Sequence, residues 1–313
     1  MQVASRYNTP AEFWKSRFPG KIQKVSLNTG FTCPNRDGSK GYGGCTYCNN
    51  NSFNPDYCEP TKTIHNQLDE GIRFFSRKYK DMQYLAYFQA YTNSYAADDT
   101  VIRLYEEAVS HPQIIGLVVG TRPDCVSDRV LDYLGSLNKR MFVGLEFGVE
   151  STLNKTLEFI NRCHTFEETI EAYDRAAGRG LHLGAHMILG LPHESQDEMV
   201  AHADRLSQLP IHAVKLHHLQ IIRKTIMEKQ YKLHPEWFPA FTPESYVELV
   251  VDFLERLRPD ITVERFMAQA PPGLLVAPQW GGLKNHEMIS RVEKHLEARD
   301  TFQGKLYHPQ TRS

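Results

Sequence analysis

Six short runs of β-branched and apolar residues recur along the chain, at 21–28, 83–90, 114–121, 141–149, 181–189 and 213–221. Helix-compatible stretches separate them, and after the first run a cysteine-bearing loop precedes the helix. Strands alternating with helices cannot pair as hairpins, so each must cross over to the next and build a parallel sheet. Right-handed crossovers curl such a sheet into a full or partial barrel.

The helical stretches carry their own punctuation. Ile64, Leu68, Ile72 and Phe75 fall on one face of the segment Thr61–Lys78. Thr165 with Glu168, and Ser195 with Glu198, have the spacing of capping boxes at two helix starts. Segments 98–109 and 127–138 complete the set. After about Pro239 the alternation changes: a helix is predicted from Thr242-Pro243 to about Leu257, a strand over 262–266 and a last helix over 287–299. The expected organisation is a basic N-terminal arm (1–20), an α/β core forming a partial TIM barrel, (β/α)6 (21–240), and a small C-terminal α/β extension (241–313).

With 313 residues, 41% of them hydrophobic and 23% charged, the chain can bury a large core and suits one large α/β domain with an extension. It has no long uninterrupted apolar run, and its first residues lack the charged-then-apolar pattern of a signal peptide. The expectation is a cytoplasmic protein with no membrane partner. In that reducing setting a tight cysteine group reads as metal-binding or catalytic rather than as disulfides. The net charge of −1 denies the whole protein an electrostatic claim on nucleic acid. Locally, Arg6, Lys15, Arg17, Lys21, Lys24, Arg36 and Lys40 outnumber Glu12 and Asp37, a basic stretch that could guide a polyanion.

In a barrel of this kind function gathers at the carboxyl ends of the strands, and the candidate residues lie there. Cys33, Cys45 and Cys48 occupy the loop after the first run, with Gly38, Gly41, Gly43 and Gly44 letting it wrap closely around a ligand. Three thiolates are one short of a closed zinc site. On a cubane iron–sulfur cluster they leave one iron free for another ligand. The rival reading is a zinc-bound nucleic-acid module, its site completed by Cys58 or His65. Cys58, Cys125 and Cys163 otherwise read as small apolar residues.

The segments Cys-Pro-Asn-Arg-Asp-Gly (33–38) and Gly-Gly-Cys-Thr-Tyr-Cys (43–48) resemble the radical SAM superfamily in its expanded-spacing form. Within it the likeness is to the subgroup related to the elongator catalytic subunit, and to the bacterial YhcC/YtqA-like family. The resemblance implies that Cys33, Cys45 and Cys48 hold a [4Fe–4S] cluster whose fourth iron chelates S-adenosylmethionine, giving a 5′-deoxyadenosyl radical. It implies that Tyr47 lies by the adenine and that Asn93, in Tyr91-Thr92-Asn93, takes the second-strand position near the methionine amine. Arg122 belongs to a third-strand signature with Asp124, and Glu150 or Ser151 would meet the ribose or methionine part. Gly190 and Glu194 lie in the segment supporting the adenine, and His217 takes the place of the sixth-strand contact.

From the residues alone, Glu150 and Glu194 equally suit helix N-termini, and Arg122 with Asp124 a structural ion pair. His217 and His218 alternate on a strand, so at most one is expected to face the barrel. Aromatics Tyr84, Tyr87, Phe88, Phe74 and Phe75 read as core. Loop 270–282, rich in proline and glycine, is either a lid or simple packing. The resemblance further implies an external one-electron reductant such as a flavodoxin or ferredoxin. As substrate it implies tRNA, at the 5-substituent of a wobble uridine, of the carboxymethylaminomethyl-to-aminomethyl type. A small metabolite or a porphyrin-like molecule is the alternative.

Overall fold

The computed structural model describes residues 5–49, 55–77 and 81–309. Residues 1–4 of the expected arm, and Lys78 at the end of the expected first core helix, lie outside the described residues. The strands are β1 (Lys21–Leu27), β2 (Met82–Phe88), β3 (Ile114–Thr121), β4 (Phe142–Glu150), β5 (His182–Leu189), β6 (Ala213–His218), β7 (Ile221–Ile222), β8 (Thr262–Arg265) and β9 (Leu275–Ala277). The helices are α1 (Pro10–Arg17), α2 (Ile64–Ser76), α3 (Asp98–Val109), α4 (Asp128–Asn138), α5 (Asn154–Phe159), α6 (Phe166–Ala176), α7 (Gln196–Ser207), α8 (Ile226–Leu233), α9 (Pro243–Arg256) and α10 (Asn285–Ala298).

One sheet runs β1-β2-β3-β4-β5-β6-β8, every pair parallel. Lys24 Nζ on edge strand β1 reaches Glu264 Oε2 on the other edge strand, β8, at 2.8 Å. The sheet is therefore curled until its edges face one another, a seven-stranded partial barrel. Leu117, Val119, Leu145 and Phe147 are fully buried, because helices cover one sheet face and the lumen takes the other. The sheet has one strand more than the sequence predicts: β8, read as part of the extension, pairs with β6. The expected sixth strand in turn ends at His218, and Ile221–Ile222 leave the sheet to pair with β9.

Helix α1 plugs the amino-terminal end of the barrel. Its Phe13 lies 4.4 Å from the His182 ring and its Trp14 5.2 Å from Phe142, the residues that open β5 and β4. Burying these rings with Phe142 fixes the barrel floor, which leaves the opposite, carboxyl ends for function.

Both predicted capping boxes are present, Thr165 with Glu168 on α6 and Ser195 with Glu198 on α7. Ser195→Ala is expected to cost about 1 kcal/mol of unfolding free energy, read from a denaturant titration; an unchanged midpoint would show that α7 does not depend on its cap. Helix α2 buries Ile64, Leu68 and Ile72 as its periodicity predicts. Phe74, read as core, is 61% exposed, because it lies off that apolar face.

Candidate active site

A cavity of about 220 Å³ opens among the carboxyl ends of the strands. On one side stand Cys33, Cys45, Tyr47 and Cys48, carried by the loop after β1. That loop folds back because Gly43 and Gly44, at φ of 79° and 80°, adopt a conformation open to glycine. It is then stapled to the turn after α5. Asn35 Nδ2 donates to the carbonyls of Asn161 and Arg162 at 2.6 and 3.0 Å, and Asn161 Nδ2 donates to those of Tyr42 and Gly44 at 3.1 and 2.9 Å.

Nitrogen donors converge on two of the thiols. Asn35 Nδ2 lies 3.5 Å and Arg162 Nη1 3.7 Å from Cys45 Sγ, and Arg122 Nη1 lies 4.0 Å from Cys33 Sγ. Arg122 is held by Asp124 through a paired contact, Nε to Oδ1 and Nη2 to Oδ2, both 2.9 Å. Burial opposes ionisation of Asp124, but Arg122 and Lys40 outweigh it and hold the carboxyl below its usual range. Burial likewise works against the Arg162 charge, while Tyr47, Cys45 and Glu150 keep its pKa well above the ordinary value. Two buried guanidiniums thus stand ready for negative charge on the sulfurs.

Burial, and then the adjacent Cys45, push the Cys48 thiol up to about 12. A thiol so placed keeps its proton until a metal replaces it. Among the described residues no three His, Cys, Asp or Glu side chains converge closely enough for a single ion. The three thiols share one wall of the cavity. Cys58 and His65 do not supply a fourth ligand. Cys58 Sγ donates to the Ser26 carbonyl at 2.8 Å and His65 Nε2 bonds Glu107 O at 3.0 Å, both away from the cavity. The donor set fits a three-cysteine cluster with an open iron, and the N–H donors around it suit a cluster bearing negative charge.

Of the other predicted residues, Tyr47, Arg122, Glu150 and His217 line the cavity. Glu150 ends β4 at φ 66°, where the register with β5 shifts, and its Oε1 lies 3.5 Å from Arg162 Nη2. Four predicted residues sit behind the wall. Asn93 Nδ2 donates to Gly120 O at 2.8 Å, tying the loop after β2 to strand β3, while its Oδ1 has no partner among the described residues. Ser151 Oγ donates to Glu194 Oε1 at 2.6 Å, and Glu194 Oε2 meets His202 Nε2 at 3.3 Å, in a network with no exposed side-chain surface at Glu194 or His202. Gly190 turns the chain at φ 97°, and a Cβ there would meet Phe241 at 3.2 Å. His217 and His218 both line the cavity, because β6 ends at His218 and the strict alternation of faces ends with it. His218 is stacked on Trp280 at 4.4 Å, so loop 270–282 packs at the cavity rim.

Deeper in the lumen is a charge network that sequence reading did not assemble. Glu146 accepts from Lys24 at 2.8 Å, Lys215 at 2.5 Å and the Tyr87 hydroxyl at 2.8 Å, and meets His186 Nε2 at 2.9 Å. Glu264 joins Lys24 at 2.8 Å and Lys215 at 3.5 Å. Burial would raise the Glu146 pKa, but Lys215 and Lys24 hold it well below the usual carboxylate range. Arg162 was likewise missed. A buried arginine in a turn reads like a surface one, and only a partner 117 residues away in the chain reveals it.

Comparisons with known proteins agree with this geometry. Residues 27–206 match the model of the Radical SAM superfamily, and residues 211–298 that of the Radical_SAM C-terminal domain. YtqA of Bacillus subtilis is 33% identical over 302 residues, covering 96% of this chain and 93% of that protein. A tRNA uridine(34) acetyltransferase of Methanocaldococcus jannaschii is 24% identical over 195 residues, covering 61% of this chain and 34% of that one. The solved structure of Methanocaldococcus infernus Elp3 with an N-terminal deletion superposes with a TM-score of 0.68 at 15% identity. It covers 91% of this chain, which spans 64% of that one. The chain belongs to the radical SAM superfamily, enzymes that work with a [4Fe–4S] cluster and S-adenosylmethionine.

Proposed function

We propose that the enzyme remodels the 5-substituent of a wobble uridine in tRNA, taking carboxymethylaminomethyl toward aminomethyl. The observation that carries this reading is the kinship, over 61% of the chain, with a relative named for uridine 34 of tRNA. The cavity's construction supports it. A base in an anticodon loop is unpaired and can be splayed into a pocket, and here the pocket runs from the cysteine wall to a polar floor. When bound, the cluster and S-adenosylmethionine supply a 5′-deoxyadenosyl radical that removes a hydrogen atom from substrate.

The chain's own residues have separable tasks. Cys33, Cys45 and Cys48 would hold the cluster, with Arg122, Arg162 and Asn35 donating toward the sulfurs. Tyr47 and Glu150 face the same space and would orient S-adenosylmethionine by stacking and by a charge-assisted hydrogen bond. The Glu146 network seals the lumen below and keeps water out of the reaction volume.

The same chemistry on a small metabolite is the second reading, and one observation favours it. The basic N-terminal stretch is partly consumed within the protein, with Arg6 on Asp300, Lys40 on Asp124 and Lys24 inside the barrel. Mass spectrometry of tRNA nucleosides from cells with and without the gene tests the two. Loss of the enzyme is expected to raise carboxymethylaminomethyluridine and deplete aminomethyluridine, and unchanged wobble nucleosides would turn the assignment to metabolites.

A further inference from the structure

Among the described residues, one cation inside the cavity's rim is left without an ion pair. Lys24 and Lys215 are neutralised by Glu146 and Glu264, Arg122 by Asp124 and Arg162 by Glu150. Arg36 lies at the exposed rim over the Tyr91 ring, 5.3 Å from its centroid. Arg265 is different. It is half-buried at the end of β8, paired in register with Lys215, and its side chain lines the cavity. Among the described residues its side chain has neither an ion pair nor a hydrogen bond. A half-buried guanidinium facing a cavity with its five donors unpaired is ready to receive an anion.

Neighbouring polar atoms are idle too. Among the described residues, His217 Nε2 and Gln220 Oε1 have no hydrogen-bond partner although both are buried in the cavity wall. Burial, and then the charge of Arg265, keep the His217 imidazole neutral, with His186, Lys215 and His218 adding to the effect. His217 and Arg265 line the same cavity.

We propose that Arg265 is the anion-binding end of the substrate subsite, taking a terminal carboxylate of the substrate in a two-pronged ion pair, with His217 Nε2 as an additional contact. A single unmatched positive charge suits a single negative one, and the planar guanidinium matches a carboxylate edge to edge. A backbone phosphodiester, flanked by two sugars, would need a groove rather than the end of a cavity of about 220 Å³. Anchoring the carboxylate on the β8 wall holds the carbon next to it at a set distance from the cysteine wall. The inference rests on reading this cavity as the meeting place of substrate and radical. The carboxylate can belong either to a uridine substituent or to a small metabolite.

Two measurements test it on the cluster-loaded full chain. Crystals soaked in sodium bromide are expected to show an anomalous bromide peak against the wild-type Arg265 guanidinium and none in R265Q; a wild-type guanidinium without the ion overturns the proposal. Binding is then compared for two anticodon stem–loops, one with carboxymethylaminomethyl on the wobble uridine and one with that carboxylate converted to its amide. Wild-type protein is expected to prefer the carboxylate by about tenfold or more, R265Q to bind both alike at the wild-type affinity for the amide, and R265K to recover part of the preference. A preference undiminished in R265Q also overturns it. A bromide peak with no preference, or no binding, by wild-type protein upholds the anion subsite while refuting the RNA source, leaving a carboxylated metabolite.

Discussion

Cys33→Ala, Cys45→Ala and Cys48→Ala are each expected to yield a protein that binds little iron and makes no detectable 5′-deoxyadenosine when reduced with S-adenosylmethionine. The three thiols stand on the wall of one cavity, and among the described residues no other cysteine lines it. Cys58 donates to a backbone carbonyl, and Cys163 Sγ turns to Asn161 Oδ1 at 3.4 Å. Removing a ligand should exceed the 10- to 100-fold losses seen when only an outer partner of a ligand is removed, so turnover should fall by more than about 100-fold. Iron per chain, the visible spectrum and 5′-deoxyadenosine by chromatography are the readouts, with Cys58→Ser as the folded control that keeps its colour. Turnover retained in any of the three alanine variants would remove that cysteine from the cluster.

The second large effect concerns Glu146. Its carboxylate is 4% exposed as a residue and is shared by two lysines, a tyrosine and a histidine. Neutralising it as Glu146→Gln leaves Lys24 and Lys215 with Glu264 alone, and breaking a buried ion network from one side costs about 3–5 kcal/mol. The unfolding midpoint at pH 7 checks this. A loss below about 1 kcal/mol would mean that water or rearrangement satisfies the lysines, and a smaller loss for Glu146→Gln in a Lys215→Met background would confirm the coupling. The sign with pH follows from the same contacts. Glu146 and Glu264 have folded-state pKa values held below the ordinary carboxylate value, after Lys215 and Lys24 overcome the cost of burial. Their contribution is thus complete above the unfolded-state value of about 4.3 and drains away as pH falls through the folded-state values. The wild-type protein should lose stability steeply below about pH 4.3, and Glu146→Gln should show a shallower loss there.

Much of the architecture was legible because it rests on local pattern. Ile114–Thr121 is buried along nearly its whole length and announces itself as an apolar run, and its boundaries match the structure. Thr165 and Ser195 cap their helices through partners three residues away, a distance visible in the sequence. By contrast β8 has four residues and few apolar ones, so nothing local shows that it closes the sheet beside β6. The basic stretch was misread in part for the same reason. Lys24 looks like a surface cation until the fold brings Glu146 and Glu264, 122 and 240 residues later, to within 2.8 Å.

At the site, the cysteine spacing and its glycines mark the cluster loop, because those ligands must lie close along the chain. Asn93, Ser151, Gly190 and Glu194 lie near strand ends as expected but do not line the cavity, which is decided by the geometry of each turn. The sequence by itself determined the alternation of strands and helices and the three-cysteine loop, carried by periodicity and short spacing, and its motifs around the cysteines carry the resemblance to the family. Only the tertiary structure decided which charges meet in the lumen, that Arg122 and Arg162 attend the sulfurs, and that Arg265 has no ion pair among the described residues. Those facts depend on side chains from separate strands converging in a low-dielectric interior, where pairing or its lack is set by distance in space rather than along the chain.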